Sequence, residues 1–274
     1  MSRQRRLRTT LTIVALSVLV LLTFYPFVFM IMTSFKDLKQ YYANFWLPAW
    51  PLHLENYTEA WQAVAPYALN SVVVTVASTI GVVVVSCLAA FAFARMSFPG
   101  REILYYLVIF LLMVPAVLTL VPTFLLIKNV GLIDTLWALI LPYIAAGQVL
   151  SIFIMRSFFA SLPEELFEAA RIDGASELWV FLNIAVPLVR PVLVTIAILQ
   201  VLSSWNDYLW PFLVLQSDSL KTLVVGLVSF QGRFATDYGP LMAGYAIASV
   251  PLLILFCIAM RSFIEGLSQG ALKA

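Results

Sequence analysis

From Thr9 to Phe35 the sequence carries no charged residue and is apolar apart from scattered Ser and Thr. About twenty helical residues cross the hydrocarbon of a bilayer at ~1.5 Å rise each, so Leu11 to Met32 spans it with some tilt. Arg3, Arg5, Arg6 and Arg8 precede the run as in a secretory leader. The run is much longer than the ~7–15 residues of a leader core, however, and no small-residue cleavage site follows, so it reads as a retained anchor. Five more such runs follow, at Ala68–Ala94, Ile103–Ile127, Thr135–Met155, Pro187–Trp205 and Tyr238–Met260. The predicted fold class is an all-α membrane protein with six transmembrane helices. Composition agrees: 62% of residues are hydrophobic and only 11% charged, against about a quarter charged in soluble domains. A net charge of +2 gives no electrostatic case for nucleic acid.

Six spans put both termini on one side of the membrane. With the N-terminus inside, eleven Lys and Arg fall inside, namely Arg3, Arg5, Arg6, Arg8, Arg95, Arg101, Arg156, Arg171, Arg190, Arg261 and Lys273, and five fall outside, namely Lys36, Lys39, Lys128, Lys221 and Arg233. The positive-inside rule therefore places both termini and the 161–187 stretch in the cytosol. Lys36 to Pro66 reads as a polar, aromatic-rich external loop, with Trp61 at the membrane interface. Pro115 and Pro122 are read as kinks on nearly one face of the third span.

Little in the chain points to catalysis. His53 is the only histidine, which excludes an HExxH zinc site, and no acid, base and nucleophile cluster is visible. Cys87 and Cys257 lie in apolar runs, with no metal-ligand or disulfide spacing, and read as small core hydrophobes. No GxxxxGK[ST] occurs, so the chain has no phosphate cradle of its own. The reading is therefore no catalytic residue, no metal and no cofactor in this chain. If ATP drives it, ATP and Mg belong to a partner.

One stretch does not fit a membrane. Ser161 to Glu177 holds Glu164, Glu165, Glu168, Arg171, Asp173 and Glu177 between apolar spans. Ser161 followed by Glu164 predicts a capping box, with Pro163 in the first helical turn and two glutamates where a helix N-terminus favours negative charge. Leu162, Leu166, Ala169 and Ala170 recur at helical spacing, and Gly174 is placed to end the helix in a left-handed conformation. A second short helix is expected from Glu177 to Ala185, running into Pro187. Physics alone allows an amphipathic hairpin lying on the bilayer.

The spacing says more. Glu168, Ala169 and Ala170, then Asp173 and Gly174, then Ile184, Val186 and Pro187 resemble the EAA loop of ABC importer permeases, with Val186 where that family has Leu. SWNDYLWPFLVL at 204–215 and FQGRFATDYGPLMAGY to FIEGLSQGALKA at 230–274 are similar to the permeases of carbohydrate importers related to the maltose system. The resemblance implies a type I ABC importer permease fold in which the loop is a cytosolic coupling helix seated on an ATPase. It also implies a homologous second permease subunit, two ATPase subunits, an external solute-binding protein, and a tail around Gly266 and Gly270 that reaches the ATPase pair. The chain then divides into an anchor span and external loop at 1–67, a permease core at 68–263 and a cytosolic tail at 264–274.

Candidate substrate-pathway residues are Ser71, Thr75, Trp205, Asn206 and Asp207. Ser71, Thr75, Ser78, Thr79 and Ser86 form one polar stripe at 100° per residue, which close helix packing also explains. Aromatic rings stack on pyranose faces, and a carboxylate or amide holds adjacent hydroxyls, although Trp205, Tyr208 and Trp210 also read as an interfacial belt. The rival function is an ATP-independent secondary transporter, for which a charge deep in a span and internal repeats are expected and neither is visible.

Overall fold

Proline and glycine punctuation decides where these apolar runs become separate helices. The computed structural model describes the backbone of residues 3–233 and 237–271 and the side chains of residues 9–232 and 237–258. Among the described residues every regular element is helical: α1 (Arg3–Ser34), α2 (Leu38–Ala43), α3 (Glu55–Arg95), α4 (Arg101–Phe110), α5 (Ala116–Asn129), α6 (Trp137–Ala160), α7 (Glu164–Ile172), α8 (Glu177–Val180), α9 (Val186–Leu188), α10 (Arg190–Trp205), α11 (Leu209–Val214), α12 (Leu223–Arg233) and α13 (Tyr238–Ala271). A π-helical turn, Phe181–Ala185, joins α8 to α9. Within α1, α3, α6 and α13, the stretches Thr9–Ser34, Glu55–Arg95, Trp137–Ala160 and Tyr238–Ile258 are long and apolar enough to cross a membrane, and two bent helix pairs bring the number to as many as six.

The third predicted span is not one helix. α4 with its short 3-10 extension to Met113 meets α5 at 105°. Val114 takes extended backbone (φ −84°, ψ 116°), as a residue before proline does when the ring blocks the α region, and Pro115 (ψ 130°) starts the next helix. Pro115 therefore breaks the run while Pro122 sits inside α5, so the two do not share a face of a single helix. The fifth span is likewise shorter than Pro187–Trp205. The chain turns by 77° at Val189, and α10 starts at Arg190 with Pro191 in its first turn, where a missing N–H costs nothing. The predicted external loop is partly helical: α3 begins at Glu55 and tolerates Pro66, and Trp61 is exposed on it.

The chain forms two compact units. The first comprises residues 1–66 and 227–250. The most apolar stretch of its α1 is wholly exposed, as a lipid-facing anchor must be. Its core packs Ala60, Phe230, Leu241 and Ala243 with Tyr57 and Tyr245. Beyond α1, the Lys36 side chain is buried and its Nζ donates to the carbonyls of Asn44 (2.7 Å) and Phe45 (3.2 Å), burial pushing the ammonium pKa below its usual value. Asn56 Nδ2 donates to the Ser34 and Lys36 carbonyls at 2.9 and 3.0 Å. Asp37 and Gln40 close a capping box over α2.

The second unit comprises residues 67–226 and 251–274 and holds two core clusters. One gathers Val82, Phe91, Met155, Phe159, Phe167, Phe181, Val189 and Ile196 with their neighbours; the other gathers Val74, Ala138, Leu139, Trp210 and Val214 with theirs. The N-terminal part of α3 within this unit thus shares a cluster with the start of α6, and the C-terminal parts of both share the other, so the two helices run the same way. α10 runs opposite, with Val192 and Ile196 in the first cluster and Trp210, just beyond its end, in the second. Cys87 is buried as expected, but Cys257 is exposed on α13, because an apolar run in a membrane chain turns part of its surface to lipid. Past Ile258 only the helical backbone of α13 is described, so Gly266, Gly270 and the rest of the predicted tail contact lie outside the described side chains.

Candidate functional site: the 161–189 hairpin

The hairpin is built by local rules and then tied down by charge. Its first helix starts at Glu164, one residue after Pro163, and no side chain caps it. The predicted Ser161–Glu164 capping box is not formed. Ser161 Oγ donates to the Phe158 carbonyl at 2.9 Å, while the Glu164 carboxylate accepts from Arg95 and from Arg171 (3.4 Å). Charge-assisted bonds to two guanidinium groups outweigh one bond to a backbone amide. Arg171 Nε also donates to Glu177 at 2.9 Å, and these partners, Glu177 first, raise the Arg171 pKa above its ordinary value.

The end of α7 follows the expectation at Gly174. Its φ is +80°, Ala175 N–H donates to the Ala170 carbonyl (2.9 Å) and Gly174 N–H to the Arg171 carbonyl (3.0 Å), the paired bonds of a Schellman motif. Ser176 then caps α8, accepting from Trp179 N–H at 3.3 Å. The buried face differs from the predicted stripe. Phe167 and Ala170 are inside, Leu162 is partly packed, and Leu166 and Ala169 are exposed. Phe167 was missed because the Leu and Ala repeat looked more regular.

Of the seven residues expected to couple to an ATPase, Glu168, Ala169, Asp173, Gly174 and Pro187 face outward, while Ala170 and Ile184 pack against the core. Beside the outward set lie exposed Leu166, Ile172, Leu178, Trp179 and Leu182, with Ile172 85% exposed. Exposed apolar side chains thus lie next to acidic ones on a hairpin that has its own buried anchors.

The candidate pathway residues sit in or beside helix packing. Ser71 Oγ accepts from Leu223 N–H at 2.8 Å, and Ser204 Oγ lies 3.4 Å from Thr75 Oγ1; all three side chains are buried in helix packing. Trp205 is buried, Asn206 turns back to donate to the Leu202 carbonyl (2.8 Å), and Asp207 accepts from Tyr143 Oη (2.8 Å). Trp210 is buried too, its Nε1 donating to the Ala138 carbonyl at 2.9 Å. Between α6 and α10 a cavity of about 210 Å³ is lined by Tyr143, Gly147, Ser151, Gln200 and Ser203 among others. It is smaller than the ~300–1,000 Å³ of most small-molecule pockets. Tyr143 and Gly147 carried only a faint mark in the sequence, a polar tip and a missing side chain in an apolar run. Among the described residues no three metal-ligating side chains come together.

Comparison with known proteins agrees with this architecture. Residues 82–271 match the family described as binding-protein-dependent transport system inner membrane component. The chain is 35% identical to the probable ABC transporter permease protein YurM of Bacillus subtilis over 250 residues, covering 91% of this chain and 83% of that protein. It is 31% identical to the trehalose/maltose transport system permease protein MalG of Thermococcus litoralis, covering 99% of each. Its fold is that of a chain in the crystal structure of a bacterial ABC transporter involved in the import of the acidic polysaccharide alginate, with a TM-score of 0.85 at 22% identity over 96% of this chain and 99% of that one. An ATP-independent secondary carrier and a membrane enzyme are both set aside by these matches. The chain, a helical integral membrane protein with a charged hairpin standing clear of its apolar runs, belongs to the binding-protein-dependent transport system inner membrane component family.

Proposed function

We propose that this chain is one of two permease subunits of an ATP-driven importer for a carbohydrate or closely related polar solute. An external solute-binding protein delivers the solute, and two cytosolic ATPase subunits, holding ATP and Mg, act on the 161–189 hairpin. Both termini then lie in the cytosol. The observation that carries the reading is the outward surface of the hairpin, where Glu168, Ala169, Asp173 and Gly174 stand beside Ile172, Leu178 and Trp179 while Phe167 and Ala170 anchor it from behind. The shared end of α3 and α6, carrying Arg95 and Arg156, supports a cytosolic hairpin by the positive-inside rule. The 210 Å³ cavity suits a closed pathway, and its Tyr143, Ser151, Gln200 and Ser203 supply hydroxyl and amide groups that match sugar hydroxyls.

Two measurements test it. The tagged chain, produced with its partner subunits, retains an ATPase through purification, and ATP-dependent uptake of a labelled disaccharide into cells requires the chain. An impermeant thiol reagent added to intact cells leaves Ser176→Cys unlabelled in a background lacking Cys87 and Cys257. Labelling from outside, or purification free of any ATPase, overturns the reading.

A further inference from the structure

Two arginines cross between helices at the hairpin end of the second unit. Arg95, the last residue of α3, donates from Nε (3.0 Å) and Nη2 (2.6 Å) to the carbonyl of Phe159 in the last turn of α6. Arg156, one turn earlier in α6, donates from Nε to the carbonyl of Phe93 in the last turn of α3 (3.3 Å). Each helix thus places a cation on the other's C-terminal carbonyls, where the helix dipole favours it. The same guanidinium groups then reach further. Arg95 also donates to the Leu162 carbonyl and the Glu164 carboxylate, and its Cζ lies 4.3 Å from the centroid of the Phe167 ring. Arg156 Nη2 bonds both oxygens of Glu102 in α4 (2.7 and 2.9 Å), with its Cζ 3.7 Å from the centroid of the Tyr105 ring. The Arg95 side chain is only 6% exposed, so its bonds to the Phe159 and Leu162 carbonyls are largely withdrawn from water, while the Glu164 and Glu102 carboxylates stay about half exposed, at 50% and 45%.

We propose that Arg95 and Arg156 form a transmission clasp. They are positioning residues that bind the ends of α3 and α6, the start of α4 and the hairpin into one rigid body. A push on the hairpin then moves α3 and α4 instead of being absorbed in the link 161–163, which has no secondary structure of its own. Only a planar, five-donor group serves at Arg95, because it must reach two carbonyls, a carboxylate and an aromatic face at once; lysine offers a single point charge. The proposal rests on the reading that an ATPase acts on this hairpin, and the experiment separates the two.

The assembled complex is reconstituted in lipid nanodiscs with Cys87→Ala and Cys257→Ala, and spin labels are attached at Ser176→Cys on the hairpin and Leu88→Cys on the exposed side of α3. Pulsed electron resonance reads their separation with ADP and with ATP plus vanadate. With Arg95 present, one narrow separation is expected in both states. With Arg95→Gln, a second, displaced separation is expected to appear with ATP and vanadate, while the ATPase remains bound and basal ATP hydrolysis is unchanged. Arg95→Lys is expected to show the second separation too, as is Arg156→Gln for a label pair on the hairpin and at Leu104→Cys of α4. One narrow separation in Arg95→Gln under both nucleotides overturns the clasp. So does failure of both Arg95 variants to assemble, since Arg95 is then a folding brace only. If instead the unsubstituted complex binds no ATPase, the functional reading fails first, and with it the clasp.

Discussion

Tyr143 Oη on α6 donates to Asp207 Oδ2 just past the end of α10, at 2.8 Å, and the other carboxylate oxygen accepts from Trp210 N–H at 3.4 Å. The carboxylate thus holds the turn between α10 and α11 to α6. Tyr143→Phe strips a half-buried carboxylate oxygen of its donor, which costs about 1–3 kcal/mol. Its thermal unfolding temperature in detergent is expected to fall measurably. Asp207→Asn should cost less, because the amide keeps one acceptor and the tyrosine hydroxyl accepts in turn. Equal unfolding temperatures for Tyr143→Phe and the parent would count against this role.

A second prediction concerns close approach. A Cβ on Gly226 would stand 2.1 Å from Cδ2 and 2.4 Å from Cγ of the Tyr67 ring. A ring met broadside cannot bend away, so α12 and α3 must separate, at about 1–3 kcal/mol for overpacking. Gly226→Ala should therefore lower the amount of folded protein extracted from membranes. Pairing it with Tyr67→Ala should restore that amount in part, and no restoration would show that the contact is not the cause.

Gly174 makes the opposite case. Nothing lies within 4 Å of its would-be Cβ, and its φ is +80°. The constraint is backbone conformation alone, worth roughly 1–2 kcal/mol for an ordinary residue. Gly174→Asn should retain most ATPase association, Gly174→Ala less, and Gly174→Val least. Glu168→Lys, which leaves the backbone untouched and reverses an exposed charge, should weaken association without changing the helix. A ranking by side-chain volume without the asparagine exception would point to a buried contact instead.

The contrast between these positions shows what the sequence could and could not carry. The left-handed glycine, the helix start at Glu177 and the long apolar spans are local events governed by residues a few places apart, and each was legible. Helix order and the family resemblance were legible for the same reason. Tyr143 and Arg95 were not, because their roles depend on partners more than sixty residues away in the sequence, which no periodicity reveals. The third span misled because an apolar run fixes burial in lipid and says nothing about direction. The residue before Pro115 had to leave the α region, and the bend of 105° followed.

A pH prediction follows from Asp134, which lies between α5 and α6 with a φ of +62°. Its carboxylate accepts from the Ser217 hydroxyl (2.5 Å) and from the N–H groups of Ser217 and Gln216 (both 2.8 Å). These bonds, that from the Ser217 side chain first, hold its pKa below the ordinary 3.8. A depressed carboxylate stabilises the fold in full above its unfolded value, and the contribution fades as pH falls through the folded value. Protease nicking of 215–221 should stay flat down to pH 3.8 and rise below it. In Asp134→Asn, nicking should already be raised at neutral pH and lose that acid step; an unchanged acid step would assign it to another group, such as Asp218 beside Lys221.

The π-helical turn at Phe181–Ala185 holds one residue in reserve. A π turn carries one residue more than an α turn, so it sets every later side chain about 100° from where an unbroken α-helix would leave it. The extra residue is slack: lose one residue within 181–185 and the turn can close to an α turn with Val189, Arg190 and Val192 keeping their places. Within α10, where every turn is α-helical, the loss of one residue has no such outlet and rotates all that follows by about 100°. A one-residue deletion in the π turn should therefore be forgiven far more readily than the same deletion in α10.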